Sequence, residues 1–576
     1  MWFLAYFILH LIVYSVVRLE FLIWNWASLK TLSLSEILWA FLNGIRFDLS
    51  VLAISVGLCF LGLLVLPRIL RSVWIWFFIL LNATFYLLNL ADAELFNFTA
   101  KRFSASSFFL VGEGSVGNLI FPYIPLATFS ILIVAVYIYL AYRISSRFTY
   151  GWDWKRRGIG IFGVLVCGVL FSRGGLQHKP LTFVDAKLFN SSYANNLVLN
   201  STFTVVKSLG KKSLVQERFY EQDEMLALLN PQNLKPSPIK TERLNVVLVI
   251  LESFSKEYLA LKDPEVAPYF NQLRSQSVDF PRAYANGRRS IEGMAAILSG
   301  IPALMEEPFI NSEFSANEII GLGTLLGAQG YHTSFFHGAA NGSMHFDRFS
   351  KSVGIENYFG KNEYPHQQDN DGTWGIYDEP FLQWTCGKLT EFSAPFFTTI
   401  FTLSSHQPYN LPEAYRGVYQ DDRHPILKTI RYTDTALQKF MACAAQQPWY
   451  QNTLFVFTAD HTGPELGSNP SFSDRYSVPL VFFSPADLNL KSINTDQWAQ
   501  HIDILPSLLE ILNVPYKNKN YLARSLVQSG SKFIALYSDG HYELLGDVKD
   551  SEQQLKAVKQ YFSEGLYDNR LYYPAK

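Results

Sequence analysis

The chain has 576 residues, of which 49% are hydrophobic, 15% aromatic and only 17% charged, and at about 150 residues per domain it allows roughly four domain-sized units. The 48 Lys and Arg against 49 Asp and Glu give a formal net charge of −1, which argues against a general nucleic-acid binder, while 46 Phe, 31 Tyr and 12 Trp argue against disorder. Four cysteines exclude a disulfide framework, and because Cys59 and Cys167 lie in apolar runs, at most Cys386 and Cys443 can pair outside a membrane.

The hydrophobicity is uneven. Long apolar runs dominate residues 1–172, whereas 173–576 reads like an ordinary globular protein. A helix needs about 20 apolar residues to cross a bilayer. Five segments approach that length: 2–25, 45–66, 72–91, 122–142 and 158–172. The fifth is short and carries Gly158, Gly160, Gly163 and Gly168. The first has neither a basic leader nor a small-residue cleavage site after it, so it does not read as a cleaved signal peptide. Arg68 and Arg71 lie between the second and third segments, and Arg143, Arg147, Lys155, Arg156 and Arg157 between the fourth and fifth. The other two loops are evenly charged, with Lys30 and Glu36, then Glu94, Lys101, Arg102 and Glu113. The positive-inside rule puts the basic loops in the cytoplasm. Five spans then place the N-terminus inside and everything beyond about residue 173 outside, which in a two-membrane bacterium is the periplasm. Arg18, Glu20, Arg46 and Asp48 lie in or near the first two segments. Such charges are functional candidates, or they snorkel to the headgroups.

Residues 173–240 read as a connector. Helical spacing of Leu and Met marks 213–230, and Pro231, Pro236 and Pro238 mark a linker over 231–240. From about 243 the pattern is α/β. The apolar runs NVVLVIL (245–251), FTTIFTL (397–403), TLFVFT (453–458) and VPLVFF (478–483) predict strands, with Pro479 at a strand start or on an edge. Helices are predicted at 291–299, 318–329, 429–445 and 497–512. The expected architecture is a five-helix transmembrane domain (1–172), a connector (173–240) and an α/β domain (241–576) with a mostly parallel sheet covered by helices.

Ligands of such sheets gather beyond the carboxyl ends of the strands. The first strand ends in Glu252, and the 453–458 strand leads into Asp460 and His461. Two carboxylates and an imidazole on one rim suit one divalent cation, Mn²⁺, Mg²⁺ or Zn²⁺. A third element, NGRRSIEG (286–293), opens an apolar helix and places Ser290 at its N-cap, with Gly293 departing from a capping box. Ser290 is either a cap or a nucleophile. A helix N-terminus favours anionic oxygen, and a metal beside the hydroxyl lowers its pKa. Arg289 can then hold a phosphate oxygen.

These motifs resemble those of the lipoteichoic acid synthase family, within the alkaline phosphatase/sulfatase superfamily. The exit segment SRGGLQHKPL resembles the family's connector. VILESFS around Glu252, NGRRSIEG around Ser290, FFHGA around His337, DGTWGIYDE around Trp374, TLSSHQPY around His406 and FTADHTG around Asp460 and His461 follow in order. The resemblance implies a sulfatase-like domain with Glu252, Asp460, His461 and the Ser290 oxygen around one metal ion, Mn²⁺ first among the candidates. It implies Ser290 as nucleophile and His406 as a phosphoryl-binding or proton-transfer group. It implies His337, Trp374 and the looser match Arg348 at the substrate. The best-known members use Thr where this chain has Ser290. The sulfatase pattern Cys/Ser-x-Pro-x-Arg is missing, since Ile291, Glu292 and Gly293 follow Ser290, so sulfatase activity is not expected.

The reading is an integral membrane transferase of the cell envelope. It takes phosphoglycerol from phosphatidylglycerol, holds it on Ser290, and passes it to a glycan, lipid or polymer acceptor. The nearest alternatives are a phosphoethanolamine transferase, against which the two outer cysteines argue, and a phosphodiester hydrolase. A further alternative is a non-enzymatic, lipid-binding membrane regulator, in which the metal ligands would be degraded.

Overall fold

The structure, a computed structural model, describes residues 2–99, 102–104, 124–148, 153–177, 179–189, 192–209, 214–229, 239, 243–467, 470–486, 488–515, 520–528, 533–546, 548 and 550–572. Lys101, Glu113 and most of the expected 231–240 linker lie outside the described residues. The chain divides into two compact units. One comprises Met1–Ser213 with Asn311–Glu318, the other Leu214–Ile310 with Ile319–Lys576. The expected connector is thus shared: its first part belongs to the helical unit, while helix Gln222–Leu229 belongs to the second unit.

In the first unit the apolar runs become α1 (Trp2–Trp24), α2 (Leu34–Val65), α3 (Arg68–Thr99), α4 (Ile124–Ser145) and α5 (Trp154–Arg173). Ser33 and Glu36 close a capping box at the start of α2. Asp153 caps α5, which ends on Gly174 in the left-handed region at φ 77°. Among the described residues, four helices are long and apolar enough to cross a membrane: Trp2–Trp24, Leu34–Val65, Arg68–Phe96 and Leu126–Ser145. The fifth, α5, opens on Lys155, Arg156 and Arg157, which leaves an apolar stretch of about 22 Å at 1.5 Å per residue.

The helical unit is apolar outside, and its apolar core also encloses several polar groups. Leu4, Ile12, Ile69, Val73 and Ile131 are exposed, while Arg18, Asp48, Asn89 and Asp92 are buried among apolar residues such as Phe21, Phe47 and Leu52. The apolar surface suits hydrocarbon as the surrounding solvent. Arg18 and Asp48 do not snorkel. They form a bidentate pair, with Nη1 and Nη2 donating to the two carboxylate oxygens at 2.7 and 2.8 Å. Gly44 makes this possible, because a Cβ there would lie 2.4 Å from Arg18 Cζ. Arg18 Nε donates to Leu197 O (3.0 Å) and Asn200 Nδ2 to Asp48 Oδ1 (2.8 Å). A second buried pair, Arg102 and Asp92 at 3.1 Å, receives the Ser201 hydroxyl and donates to Asn196 O and Leu199 O. The short helices Ser192–Val198 and Ser201–Ser208 are therefore held to the spans by charge-assisted hydrogen bonds.

The second unit is an α/β domain. Its strands are β1 (Asn245–Leu251), β2 (Val278–Asp279), β3 (Arg282–Tyr284), β4 (His332–His337), β5 (Asn357–Phe359), β6 (Phe396–Phe401), β7 (Thr453–Ala459), β8 (Leu480–Phe483), β9 (Trp498–Gln500), β10 (Phe533–Ser538) and β11 (His541–Gly546). Seven of them form a sheet of order β2-β8-β7-β1-β6-β4-β5. Strands β7, β1, β6, β4 and β5 are parallel, and β8 runs antiparallel to its neighbours β7 and β2. Every residue of β1, β6 and β7 is buried, as their unbroken apolar runs require. Pro479 lies just before β8, a position that needs no ladder donor.

The helices of this unit include α6 (Ser290–Ser299), α7 (Asp378–Leu389) and α8 (Pro425–Ala444). Cys386 and Cys443 pair, tying α7 to α8. Closing a loop with a sequence separation of 57 contributes about 4 kcal/mol in the chain-entropy account. Two expectations fail. Residues 497–512 are not one helix: Trp498–Gln500 pairs as β9 with β3, and the helix is Ile504–Ile511. The 318–329 helix shortens to Leu322–Gly327, with Gly321, in extended conformation, as its N-cap and Ala328 as its C-cap.

Removing one partner of a buried ion pair leaves the other charge uncompensated, at a cost of about 3–5 kcal/mol. Asp48→Ala is accordingly expected to lower the melting temperature of the detergent-solubilised protein. The Arg18→Ala/Asp48→Ala double variant is expected to lose less than the two single losses summed. An Asp48→Ala protein that melts like the parent contradicts this.

Candidate active site

The parallel strands deliver their carboxyl ends to one rim. Glu252 follows β1 and Asp460 follows β7, one strand away, with His461 next. Ser253 turns the chain sharply at φ 58°, an uncommon conformation for a non-glycine residue that costs about 1–3 kcal/mol. The turn aims Ser253 N at Asp460 Oδ1 (2.8 Å), and the Ser253 hydroxyl donates to Glu252 Oε1 (2.8 Å). Glu252 N donates to Thr402 Oγ1, beyond the end of β6, at 2.8 Å.

Ser290 meets this rim from α6. Its hydroxyl lies 3.3 Å from Glu252 Oε2 and 3.3 Å from His461 Nε2. The N-cap expected at Ser290 is one residue earlier: Arg289 is the cap, with extended φ/ψ, and Ser290 is the first helical residue. Glu292 supplies the capping acceptor, taking the amides of Arg288 (2.8 Å) and Arg289 (3.1 Å). Arg289 Nε also donates to Glu292 (2.9 Å), and its Nη2 donates to Glu306 O (2.9 Å). Its guanidinium is thus engaged by protein acceptors instead of projecting free beside Ser290.

Glu252, Asp460 and His461 each offer a ligand atom, and these lie within 4.8 Å of one another. His461 Nδ1–H donates to Thr462 O (2.7 Å), which leaves the Nε2 lone pair facing the carboxylates, 3.2 Å from Asp460 Oδ2. Asp460 Oδ2 is buried without a hydrogen-bond donor. Burial, and then the Asp460 carboxylate, push the Glu252 carboxyl well above its usual range. A divalent cation fits these residues: it supplies the ligand that Asp460 Oδ2 lacks and relieves the repulsion between two buried carboxylates.

Of the remaining candidates, His337 and His406 lie within reach of the charge of Asp460, and Trp374 packs on His406. His337 ends β4 and is buried; Nδ1–H donates to Phe401 O (3.2 Å), and burial lowers its pKa to about 4, so the ring is neutral at neutral pH. His406 feels the charges of Asp460 and His461, and burial lowers its pKa. The Trp374 ring lies 3.9 Å from the His406 ring, and its indole N–H donates to Gln407 O (2.6 Å). Arg348 sits on the short helix Phe346–Ser352, with Nε 3.8 Å from Asp347. Sequence reasoning did not single out Ser253, Thr402 or Asp378, although each lies within one of the motifs. Asp378 accepts from the amides of Leu403 (2.7 Å) and Ser404 (3.2 Å) at the base of the His406 loop.

Gly293 fixes how closely α6 approaches the rim, since a Cβ there would stand 2.3 Å from Asp460 O. Gly293→Ala must push the helix from the strand end, at about 1–3 kcal/mol. A displacement near 1 Å at a reacting group can cost about 100-fold in rate. The expected result is a folded protein with at least tenfold weaker Mn²⁺ binding by calorimetry; unchanged affinity contradicts it.

Residues 244–514 match the sulfatase family model. Among curated proteins, the chain is 23% identical to the lipoteichoic acid synthase-like protein YvgJ of Bacillus subtilis over 411 residues, 65% of this chain and 66% of that one. It is 22% identical to lipoteichoic acid synthase of Staphylococcus aureus over 363 residues, 57% of this chain and 55% of that one. The matches thus span between about half and two thirds of the relatives' length. Among solved structures, a protein in the alkaline phosphatase superfamily from Vibrio parahaemolyticus superposes with a TM-score of 0.53 at 21% identity, covering 62% of this chain and 98% of that one. The lipoteichoic acid synthase LtaP from Listeria monocytogenes superposes with a TM-score of 0.52 at 14% identity, covering 61% and 98%. The second unit therefore carries the alkaline phosphatase/sulfatase fold, in a chain distantly homologous to lipoteichoic acid synthase-like proteins.

Proposed function

We propose that the protein is a metal-dependent transferase that moves phosphoglycerol from phosphatidylglycerol, through a covalent Ser290 intermediate, to a hydroxyl of a glycan, lipid or polymer. The observation that carries this reading is the Ser290 hydroxyl, 3.3 Å from both Glu252 and His461 within one buried cluster of metal-type donors. The relatives named lipoteichoic acid synthase support the choice of donor and of group. An intact ligand set speaks for catalysis over a purely lipid-binding regulator.

Glu252, Asp460 and His461 would hold one divalent ion, Mn²⁺ first, which would lower the pKa of the Ser290 hydroxyl and stabilise charge on the phosphoryl oxygens. In the first half-reaction Ser290 Oγ bonds to phosphorus and gives up its proton to solvent. The bond from phosphorus to the diacylglycerol oxygen breaks, and that oxygen takes up a proton that His406 relays from solvent. In the second half-reaction an acceptor hydroxyl attacks the same phosphorus and loses its proton through His406, while the bond from phosphorus to Ser290 Oγ breaks and the serine is reprotonated from solvent. The dipole at the start of α6 favours the anionic group beside Ser290. Neutral His337 and the Trp374 ring would contact the glycerol, with Arg348 further out.

The chemistry belongs outside the cytoplasm. Arg68 and Arg71, and the cluster from Arg143 to Arg157, orient the spans with their basic loops inward. The Cys386–Cys443 disulfide suits an oxidising compartment. Diacylglycerol would stay in the bilayer on release.

Full-length protein in detergent, given Mn²⁺ and phosphatidylglycerol, is expected to gain a glycerophosphoryl adduct on Ser290 by intact-mass and peptide analysis. Ser290→Ala should gain none. Diacylglycerol released without transfer to an added acceptor would favour a hydrolase. An adduct formed from phosphatidylethanolamine but not from phosphatidylglycerol would replace the donor. No adduct and no lipid turnover would overturn the reading.

A further inference from the structure

We infer that Asp378 is a positioning residue for His406, acting through the loop 402–407; this rests on the proton-transfer role proposed for His406. Asp378 is the first residue of α7, is 2% exposed, and touches none of the metal-type donors directly. Its carboxylate is nonetheless fully occupied. Oδ1 accepts from Leu403 N at 2.7 Å and from Ser404 N at 3.2 Å, while Oδ2 accepts from Thr433 Oγ1 at 2.7 Å. Asp378 N returns a hydrogen bond to Ser404 Oγ (2.9 Å). One buried side chain thus grips both residues that follow Thr402, whose hydroxyl accepts from Glu252 N.

The grip passes along the loop to the imidazole. His406 N donates to Leu403 O (3.1 Å), closing a turn on the residue whose own amide Asp378 holds. The ring is also linked to the Asp378 segment through Trp374. Asp371 Oδ1 collects the amides of Thr373, Trp374 and Gly375 at 2.8–3.0 Å, which fixes Trp374 against His406. Two acidic residues of one short segment therefore brace one histidine, Asp371 through the indole and Asp378 through the loop.

A buried carboxylate ringed by hydrogen bonds costs much to build, and a neutral apolar contact would hold the loop more cheaply. What the charge adds is geometric definition, since charge-assisted bonds are short and directional. Preorganisation of this kind is where a proton-transfer group gains rate, because small displacements of the donor atom are amplified in the transition state.

The test is a double-mutant cycle on phosphatidylglycerol turnover by the full-length protein with Mn²⁺. Asp378→Ala is expected to lower kcat at least tenfold and KM less than threefold, with Mn²⁺ affinity unchanged. In a His406→Ala background the same substitution is expected to cost less than twofold. Asp378→Asn, which keeps an acceptor for Leu403 N and Ser404 N, should recover part of the rate, and Thr433→Val should lose less than Asp378→Ala. Should Asp378→Ala not fold, the Thr433→Val cycle with His406→Ala decides. Equal losses in both backgrounds overturn the inference and leave the proposed function standing. If the parent protein turns over no lipid, the proposed function falls instead. The inference is then decided by amide exchange over 402–407, which Asp378→Ala must accelerate if the grip is real and which unchanged protection would refute.

Discussion

Two carboxylates buried side by side on the rim of one parallel sheet set the terms for the rest of the structure. Glu252 and Asp460 arrive there because β1 and β7 are neighbours in register, Leu251 opposite Ala459, and both chains leave the sheet at the same level. Their repulsion in a buried site is costly, and the surrounding donors answer only part of it. Ser253 N serves Asp460 Oδ1 and the Ser253 and Ser290 hydroxyls serve Glu252, but Asp460 Oδ2 has no donor. Such an arrangement persists where a cation completes it, and the tautomer implied by His461 Nδ1–H on Thr462 O directs the free ring nitrogen to the same point.

Other features of the site follow from keeping a hydroxyl at that point. Gly293 lets α6 lie against the Asp460 backbone, so Ser290, one turn earlier, reaches both Glu252 and His461. Arg289 binds Glu292, the acceptor that caps the helix, and so fixes the loop that leads into Ser290. The histidines come from the next two strands of the sheet, His337 at the end of β4 and His406 from the loop after β6. Strand order thus spaces the metal-type donors and the two imidazoles along one edge, and α6 brings the Ser290 hydroxyl to it.

The legible parts of this were those written in contiguous residues. NVVLVIL and TLFVFTA read as buried strands because they are short, mostly apolar runs rich in β-branched and aromatic residues, and the Glu, Asp and His that follow mark the rim. Strand β4 did not read as a strand, because HTSFFH carries polar groups that find partners only across the sheet, as Ser334 does with Thr398 at 2.8 Å. The helical period at 497–512 misled because Trp498–Gln500 pairs with β3, a strand far away along the chain. Arg18 and Asp48 were visible as charges in apolar segments but not as partners, since their meeting depends on Gly44 opening a path between two helices. Asp378 was hidden for the same reason: its partners Leu403, Ser404 and Thr433 are joined to it only by the fold.

The helical unit answers the same physical problem in a different solvent. There two buried ion pairs are closed by protein groups, Arg18 with Asp48 and Arg102 with Asp92, whereas at the sheet rim a cluster of carboxylates and an imidazole offers its donors to a cation. That contrast can be measured directly. Crystals of the full-length protein grown with Mn²⁺ and recorded at a wavelength where manganese scatters anomalously should show one strong peak about 2.0–2.3 Å from Glu252, Asp460, His461 and Ser290 Oγ. A protein that binds Mn²⁺ elsewhere, or leaves that point empty at saturating Mn²⁺, would contradict the account.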